Sequence, residues 1–136
     1  VGVAYLGGYH RSASIESEAE KITAYLRQVQ NKALSGEAIS GEDPTDWGVR
    51  FVNPANGEGY YSIFRGSSFD PVNSDETVYL AKEVLFLDPA ASSTKDIVFQ
   101  RVTGRPTATS TIILQSAANA NLTRVISINS LGQVSY

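Results

Sequence analysis

The sequence predicts a single α+β domain in which a long N-terminal helix packs on antiparallel β-sheet. Three observations lead to this prediction. An amphipathic helical pattern covers residues 12–36, short strand-like segments separated by turns cover residues 37–136, and the helix precedes the strands instead of alternating with them. A chain of 136 residues with 42% hydrophobic residues is long enough for one domain with a real core.

The helix prediction depends on apolar residues that recur at alternating steps of four and three residues. These stripe residues are Ile15, Ala19, Ile22, Leu26, Val29 and Ala33. The residues off the stripe are predicted to be solvated; they are Glu16, Glu20, Thr23, Arg27 and Gln30. Ser12 or Ser14 is expected to cap the N-terminus, and Gly36 to end the helix in a left-handed conformation. The stripe is therefore predicted to be the surface that packs on the sheet.

The rest of the chain reads as six or seven short strands, a number that favours antiparallel pairing in one or two small sheets. The strand-like segments are 47–52, 60–64, 77–87, 97–102, 109–115, 123–128 and 134–136. The first two are predicted to form a hairpin around Asn56-Gly57, and 97–102 is predicted to pair with 109–115 around Gly104. The long third segment is expected to break near Lys82.

The composition offers no catalytic or cofactor site. Cysteine is absent and His10 is the only histidine, so the common zinc ligand sets and thiol nucleophiles are missing. No phosphate-binding glycine loop and no nucleophile-elbow motif occurs. Oxygen ligands for calcium are present at Asp70, Asn73, Asp75 and Glu76, but their spacing is not that of an EF-hand, and a solvated loop is the preferred interpretation. The sequence therefore predicts no enzyme and no cofactor.

Charge is distributed unevenly along the chain. The net charge is −3; residues 1–96 carry 8 basic and 14 acidic side chains, whereas residues 97–136 carry Arg101, Arg105 and Arg124 and no acid. An ordinary fluctuation among few charges is the simpler interpretation. The functional alternative is a small basic face that contacts DNA or another anion.

The first residues, 1–11, are mostly apolar or glycine, and the chain lacks methionine. A frayed terminus is one interpretation. The other is that residues 1–11 are the distal end of an apolar helix that continues upstream, followed by the amphipathic part at 12–36 and the β-rich part at 37–136. No run in the sequence reaches the roughly 20 apolar residues that a membrane span needs.

Three segments together resemble the type IV pilin-like proteins, and among them the minor pseudopilins and pilins of the GspH/FimT type. The helix segment IESEAEKITAYLRQVQNKALSGE is similar to the end of that family's helix. WGVRFV is similar to its first strand, and RVISINSLGQVSY to its closing strand–glycine–strand unit. The family's leader-peptidase site and the glutamate of its apolar helix have no counterpart here, so no residue of this chain inherits that glutamate's role.

The resemblance implies a structural role without catalysis. Such a subunit joins a type II secretion pseudopilus, a type IV pilus or a DNA-uptake filament, together with other pilin subunits and the inner-membrane assembly machinery. It is anchored in the inner membrane before assembly, is methylated at its processed N-terminus, and then lies in a periplasmic or cell-surface filament. Two other functions stay open: DNA binding through the basic C-terminal residues, and extracellular ligand binding or adhesion through the tyrosine-rich hairpin at 60–64.

Overall fold

The structure, a computed structural model, describes residues 2–35 and 45–136, and within the helix it describes side chains from residue 14 onward. One helix, α1, spans Gly2–Leu34. The strands are β1 (Trp47–Asn53), β2 (Tyr60–Arg65), β3 (Ser74–Tyr79), β4 (Val84–Asp88), β5 (Ser93–Phe99), β6 (Ser110–Ser116), β7 (Thr123–Ile128) and β8 (Val134–Ser135). A short 3₁₀ turn, Pro71–Asn73, precedes β3. The predicted α+β class, with one helix on antiparallel sheet, is confirmed.

Helix α1 extends upstream of the amphipathic pattern at residues 12–36. Its backbone is helical from Gly2, so the predicted cap at Ser12 or Ser14 is wrong. The glycine pair Gly7-Gly8 does not end the helix, because each glycine weakens a helix by about 1 kcal/mol without terminating it. The predicted cap at Gly36 and most of the acidic connection that follows lie outside the described residues.

The strands form two four-stranded antiparallel sheets. The first sheet has the order β3-β2-β1-β5, and the second has the order β4-β6-β7-β8. The chain crosses from the first sheet to the second between β3 and β4, at residues 80–83. The break predicted near Lys82 is this crossing, because the segment 77–87 contributes one strand to each sheet.

One predicted hairpin is confirmed and the other is wrong. Strands β1 and β2 pair antiparallel across a turn in which Gly57 has φ 101°. Strand β5 pairs with β1 in the first sheet, while β6 pairs with β4 and β7 in the second. The segment between β5 and β6 turns at Gly104 and folds back on the end of β5, where Phe99 and Pro106 form an antiparallel bridge, but β5 and β6 do not pair. The N–H of Val102 in this turn donates to the carbonyl of Ala33 at 3.0 Å, so the turn is also attached to the end of α1.

Both sheets pack on α1, which determines where the core lies. The six stripe residues have no exposed surface. The sheets contribute Val49, Phe51, Tyr61 and Ile63 on one side and Ile112, Leu114, Ile126 and Ile128 on the other. The two sheets cover the helix from two sides. The buried residues of α1 therefore span an angle of about 140° around the helix axis, at 3.6 residues per turn, which is wider than a narrow stripe. We call this angular range the buried arc.

The wide buried arc corrects one prediction on the helix. Thr23, predicted to be solvated, is 2% exposed, and Glu18 is 7% exposed. These two residues lie at opposite edges of the buried arc. Glu18 lies on the side that faces the first sheet. Thr23 lies on the side where neighbouring polar residues of the helix bond to the second sheet. The apolar pattern did not identify either residue as buried, because both side chains are polar.

Candidate functional site

The candidate calcium ligands make contacts within the fold. They are Asp70, Asn73, Asp75 and Glu76. The Asp70 carboxylate caps the short 3₁₀ turn, Asp75 lies 3.5 Å from the ammonium of Lys32, and Glu76 accepts a hydrogen bond from the hydroxyl of Tyr25 at 3.1 Å. Within the described part of the chain, no group of three or more His, Cys, Asp or Glu side chains is placed to hold a metal ion.

A buried carboxylate and a buried phenol meet between α1 and the first sheet. Glu18 Oε1 accepts the N–H of Ala81 at 3.3 Å, and its Oε2 has no hydrogen-bond partner among the described residues. The Tyr61 hydroxyl is buried in the same way. Burial, then the charge of Glu18, raises the pKa of Tyr61 well above its ordinary value. Glu18 thus ties the β3–β4 crossing to the helix, and nothing in the sequence pattern had singled it out.

The other flank of α1 bonds to the end of the chain. Gln30 Nε2 donates to the carbonyls of Gly104 and Gly132, each at 2.9 Å, and Arg27 Nη2 donates to the carbonyl of Val134 at 3.0 Å. Gly132 has φ 87°, and a Cβ there would lie 2.2 Å from Gln30 Nε2. These bonds hold the closing turn and β8 against the helix, so Arg27 and Gln30 are attached to the fold and are not simply solvated.

The solvent side of α1 presents an open groove of about 500 Å³. We call this surface the open helix face; it is lined by Ala24, Arg27, Gln28, Asn31, Lys32 and Ser35. A second open groove of about 400 Å³ runs from Arg27 and Asn31 to residues 131–134. The lining offers amides, cations and a hydroxyl but no paired nucleophile and base.

The structure does not bring the three predicted arginines together. Arg124 Nε lies 2.8 Å from Glu16 Oε2, so α1 supplies the acid that the C-terminal sequence lacks. Arg101 and Arg105 lie in the turn that follows β5, beside the end of α1. Arg124 contacts Glu16, and Val102 in the turn between Arg101 and Arg105 contacts Ala33. These two helix positions are about 25 Å apart along the helix axis. A single basic face of three arginines is therefore absent from this geometry.

The tyrosine-rich hairpin is divided between the core and the surface. Tyr61 and Phe64 are fully buried, and Trp47 and Phe86 are nearly so. Tyr60 stays half-buried at the surface. Most aromatic side chains of this region therefore belong to the core, and Tyr60 is the aromatic residue of the hairpin that remains partly accessible to a ligand.

Across residues 2–35 and 45–136, no helix is both long enough and apolar enough to cross a lipid bilayer.

Comparison with solved structures identifies a similar fold. The chain resembles the crystal structure of the type IV minor pilin FimU from Pseudomonas aeruginosa strain PAO1, with a TM-score of 0.55 and 16% sequence identity. The match covers 88% of this chain and 90% of that one. No protein-family model matches the sequence, and comparison with curated proteins gives no significant match. The shared architecture confirms the predicted type IV pilin-like fold of the FimT/GspH kind.

Proposed function

We propose that this chain is a structural subunit, a minor pilin or pseudopilin, of a type II secretion pseudopilus, a type IV pilus or a DNA-uptake filament. The observation that carries the proposal is the packing of α1 against two antiparallel sheets, an arrangement shared with a minor pilin over 88% of the chain.

Assembly would use the surface of α1 that the fold leaves open. The stripe residues are fully buried against the chain's own sheets, so they are not available to another subunit. Ala24, Gln28 and Asn31 are exposed on the open helix face. The proposed partners are other pilin or pseudopilin subunits and the inner-membrane assembly machinery. The proposed location is the bacterial envelope, first at the inner membrane and then in a periplasmic or surface filament.

The test is gene deletion and complementation in the source bacterium. Ala24→Glu places a charge in the open helix face, and Ala118→Glu makes the same change at an exposed turn between β6 and β7. We expect wild-type protein to cofractionate with sheared filaments or the secretion complex. We expect Ala24→Glu to accumulate normally but to be depleted from that fraction, while Ala118→Glu behaves as wild type.

Two results would count against the proposal at different levels. If the deletion leaves filaments, secretion and DNA uptake unchanged and the protein never cofractionates with them, the structural role is wrong. If the protein assembles and Ala24→Glu assembles equally well, the role stands and the subunit contact lies elsewhere.

DNA binding is the rival role, and the separation of Arg124 from Arg101 and Arg105 argues against it. Three phosphate contacts would give a log–log salt slope of only about −2 to −3. We expect no binding, or weak binding at low salt, when anisotropy of a labelled duplex is measured for wild type and the triple Arg→Ala variant. Non-specific DNA binding has a Kd of roughly 1–100 μM at physiological salt. Affinity tighter than about 10 μM, lost in the variant, would make DNA capture the function.

A further inference from the structure

The first sheet turns one face away from α1, and this face carries two cross-strand rows of side chains. Tyr60 lies opposite Tyr79 in one row, and Arg50 lies opposite Asp96 in the next. Residues that alternate with them, such as Phe51, are fully buried towards α1. We call the four outward residues Tyr60, Tyr79, Arg50 and Asp96 the tyrosine platform.

The two tyrosines form a tilted aromatic pair at the surface. Their ring centroids are 5.2 Å apart and the rings are inclined at 45°. Tyr79 is 58% exposed, and Tyr60 is half-buried beside it. A tyrosine ring offers an apolar face for stacking and a hydroxyl for hydrogen bonding. The pair is therefore a surface on which a ring-shaped ligand with one apolar face can lie.

Arg50 and Asp96 add fixed polar groups on the same face of the sheet, one and two strands beyond Tyr60. Arg50 Nε donates to Asp96 Oδ1 at 2.7 Å, and Arg50 Nη2 donates to Asp96 Oδ2 at 2.8 Å. The Phe69 ring centroid lies 4.1 Å from the guanidinium carbon, so the pair is held in place from a third side. Two of the five guanidinium N–H donors are used in this ion pair, and each carboxylate oxygen can accept further bonds. The pair has no net charge.

We propose that the tyrosine platform binds a neutral glycan. One sugar unit would stack its apolar C–H face on Tyr79 and Tyr60. The hydroxyls of a neighbouring unit would bond to Arg50 and Asp96, which lie one and two strands beyond Tyr60. Sugar hydroxyls both donate and accept, which matches a site that presents a donor and an acceptor side by side. Because Arg50 is already neutralised by Asp96, the site gives no electrostatic advantage to an acidic sugar.

A proline-rich peptide is the other ligand that docks on exposed aromatic rings. Prolines lack an N–H donor, so such a peptide would cover Asp96 without satisfying its free acceptor positions, and this costs binding energy. The glycan fits the polar half of the platform as well as the aromatic half. The platform lies on the opposite side of the sheet from α1, so the inference does not depend on how the chain assembles.

The test is an NMR titration of the purified chain with neutral tetrasaccharides of glucose, mannose, galactose and N-acetylglucosamine, with sialyllactose and a polyproline peptide as comparators. Tyr79→Ala removes the exposed ring of the platform. Tyr136→Ala removes a comparably exposed ring near the end of the chain and serves as the matched control. Circular dichroism of both variants checks that the fold is kept.

We expect at least one neutral tetrasaccharide to shift the amide signals of the tyrosine platform, with a Kd of about 1 mM, as suits a shallow site. Tyr79→Ala should raise that Kd roughly five- to ten-fold, and Tyr136→Ala should leave it unchanged. The proposal is overturned if no neutral sugar shifts these signals at millimolar concentration. Tighter binding of sialyllactose or polyproline, or equal binding by wild type and Tyr79→Ala, overturns it as well.

Discussion

Replacing Thr23 by valine should stabilise this protein. Thr23 lies at the edge of the buried arc of α1 and is 2% exposed, and its hydroxyl oxygen is buried without a hydrogen-bond partner among the described residues. A threonine hydroxyl in this position has lost its hydrogen bonds to water, and no hydrogen bond within the described residues replaces them. Valine keeps the branched shape and the stiff χ1 torsion while removing that oxygen.

The expected size of the effect follows from the cost of an unsatisfied buried polar group, about 1–3 kcal/mol. Valine and threonine have similar helix propensities, so the free energy of unfolding should rise by about 1 kcal/mol or more. For a domain of 136 residues this corresponds to a Tm increase of about 3–5 °C. Thr23→Ser keeps the hydroxyl and deletes a methyl group, so it should lose about 1 kcal/mol.

The assay is thermal and urea unfolding followed by circular dichroism, for wild type, Thr23→Val, Thr23→Ser and Thr23→Asp. The aspartate should cost several kcal/mol, because it places a charge in the same dry position. A Thr23→Val variant less stable than wild type would mean that the hydroxyl has a partner. A Thr23→Asp variant as stable as wild type would mean that this side of α1 is solvated, against the reasoning above.

Three further measurements test the packing and the surfaces. Leu26→Asp should unfold the domain, since burying a charge costs several kcal/mol against a total stability of about 5–15 kcal/mol. Gln28→Glu on the open helix face should change the free energy of unfolding by less than about 0.5 kcal/mol. Similar melting curves for the two variants would contradict this. Above the ordinary tyrosine pKa of 10.0 the unfolded chain releases the Tyr61 proton while the folded chain keeps it, so stability should fall as pH rises through that range. Tyr61→Phe should flatten this decline, and an equally steep decline in the variant would rule out Tyr61 as its cause. Light scattering should show a monomer for residues 1–136, and a stable dimer would reveal an interface within these residues.

Local periodicity determined much of the architecture. The recurrence of Ile15, Ile22 and Leu26 predicts a helix with an apolar stripe, and these residues are fully buried. The hairpin between β1 and β2 was predictable because Asn56-Gly57 turn chemistry lies between two alternating segments. Such features depend on residues close together in the sequence, where backbone geometry leaves few alternatives.

The tertiary structure alone decided which strands pair and how wide the buried arc of α1 is. Strand β5 pairs with β1, although strands β2, β3 and β4 separate the two in the sequence. The turn residues after β5 had favoured a hairpin with β6. The second sheet is packed against the other flank of the helix, where Arg124 pairs with Glu16 far from Arg101. These outcomes depend on which long-range pairing buries the most apolar surface and satisfies the most backbone groups. That comparison involves the whole chain, so no local pattern of residues contains it.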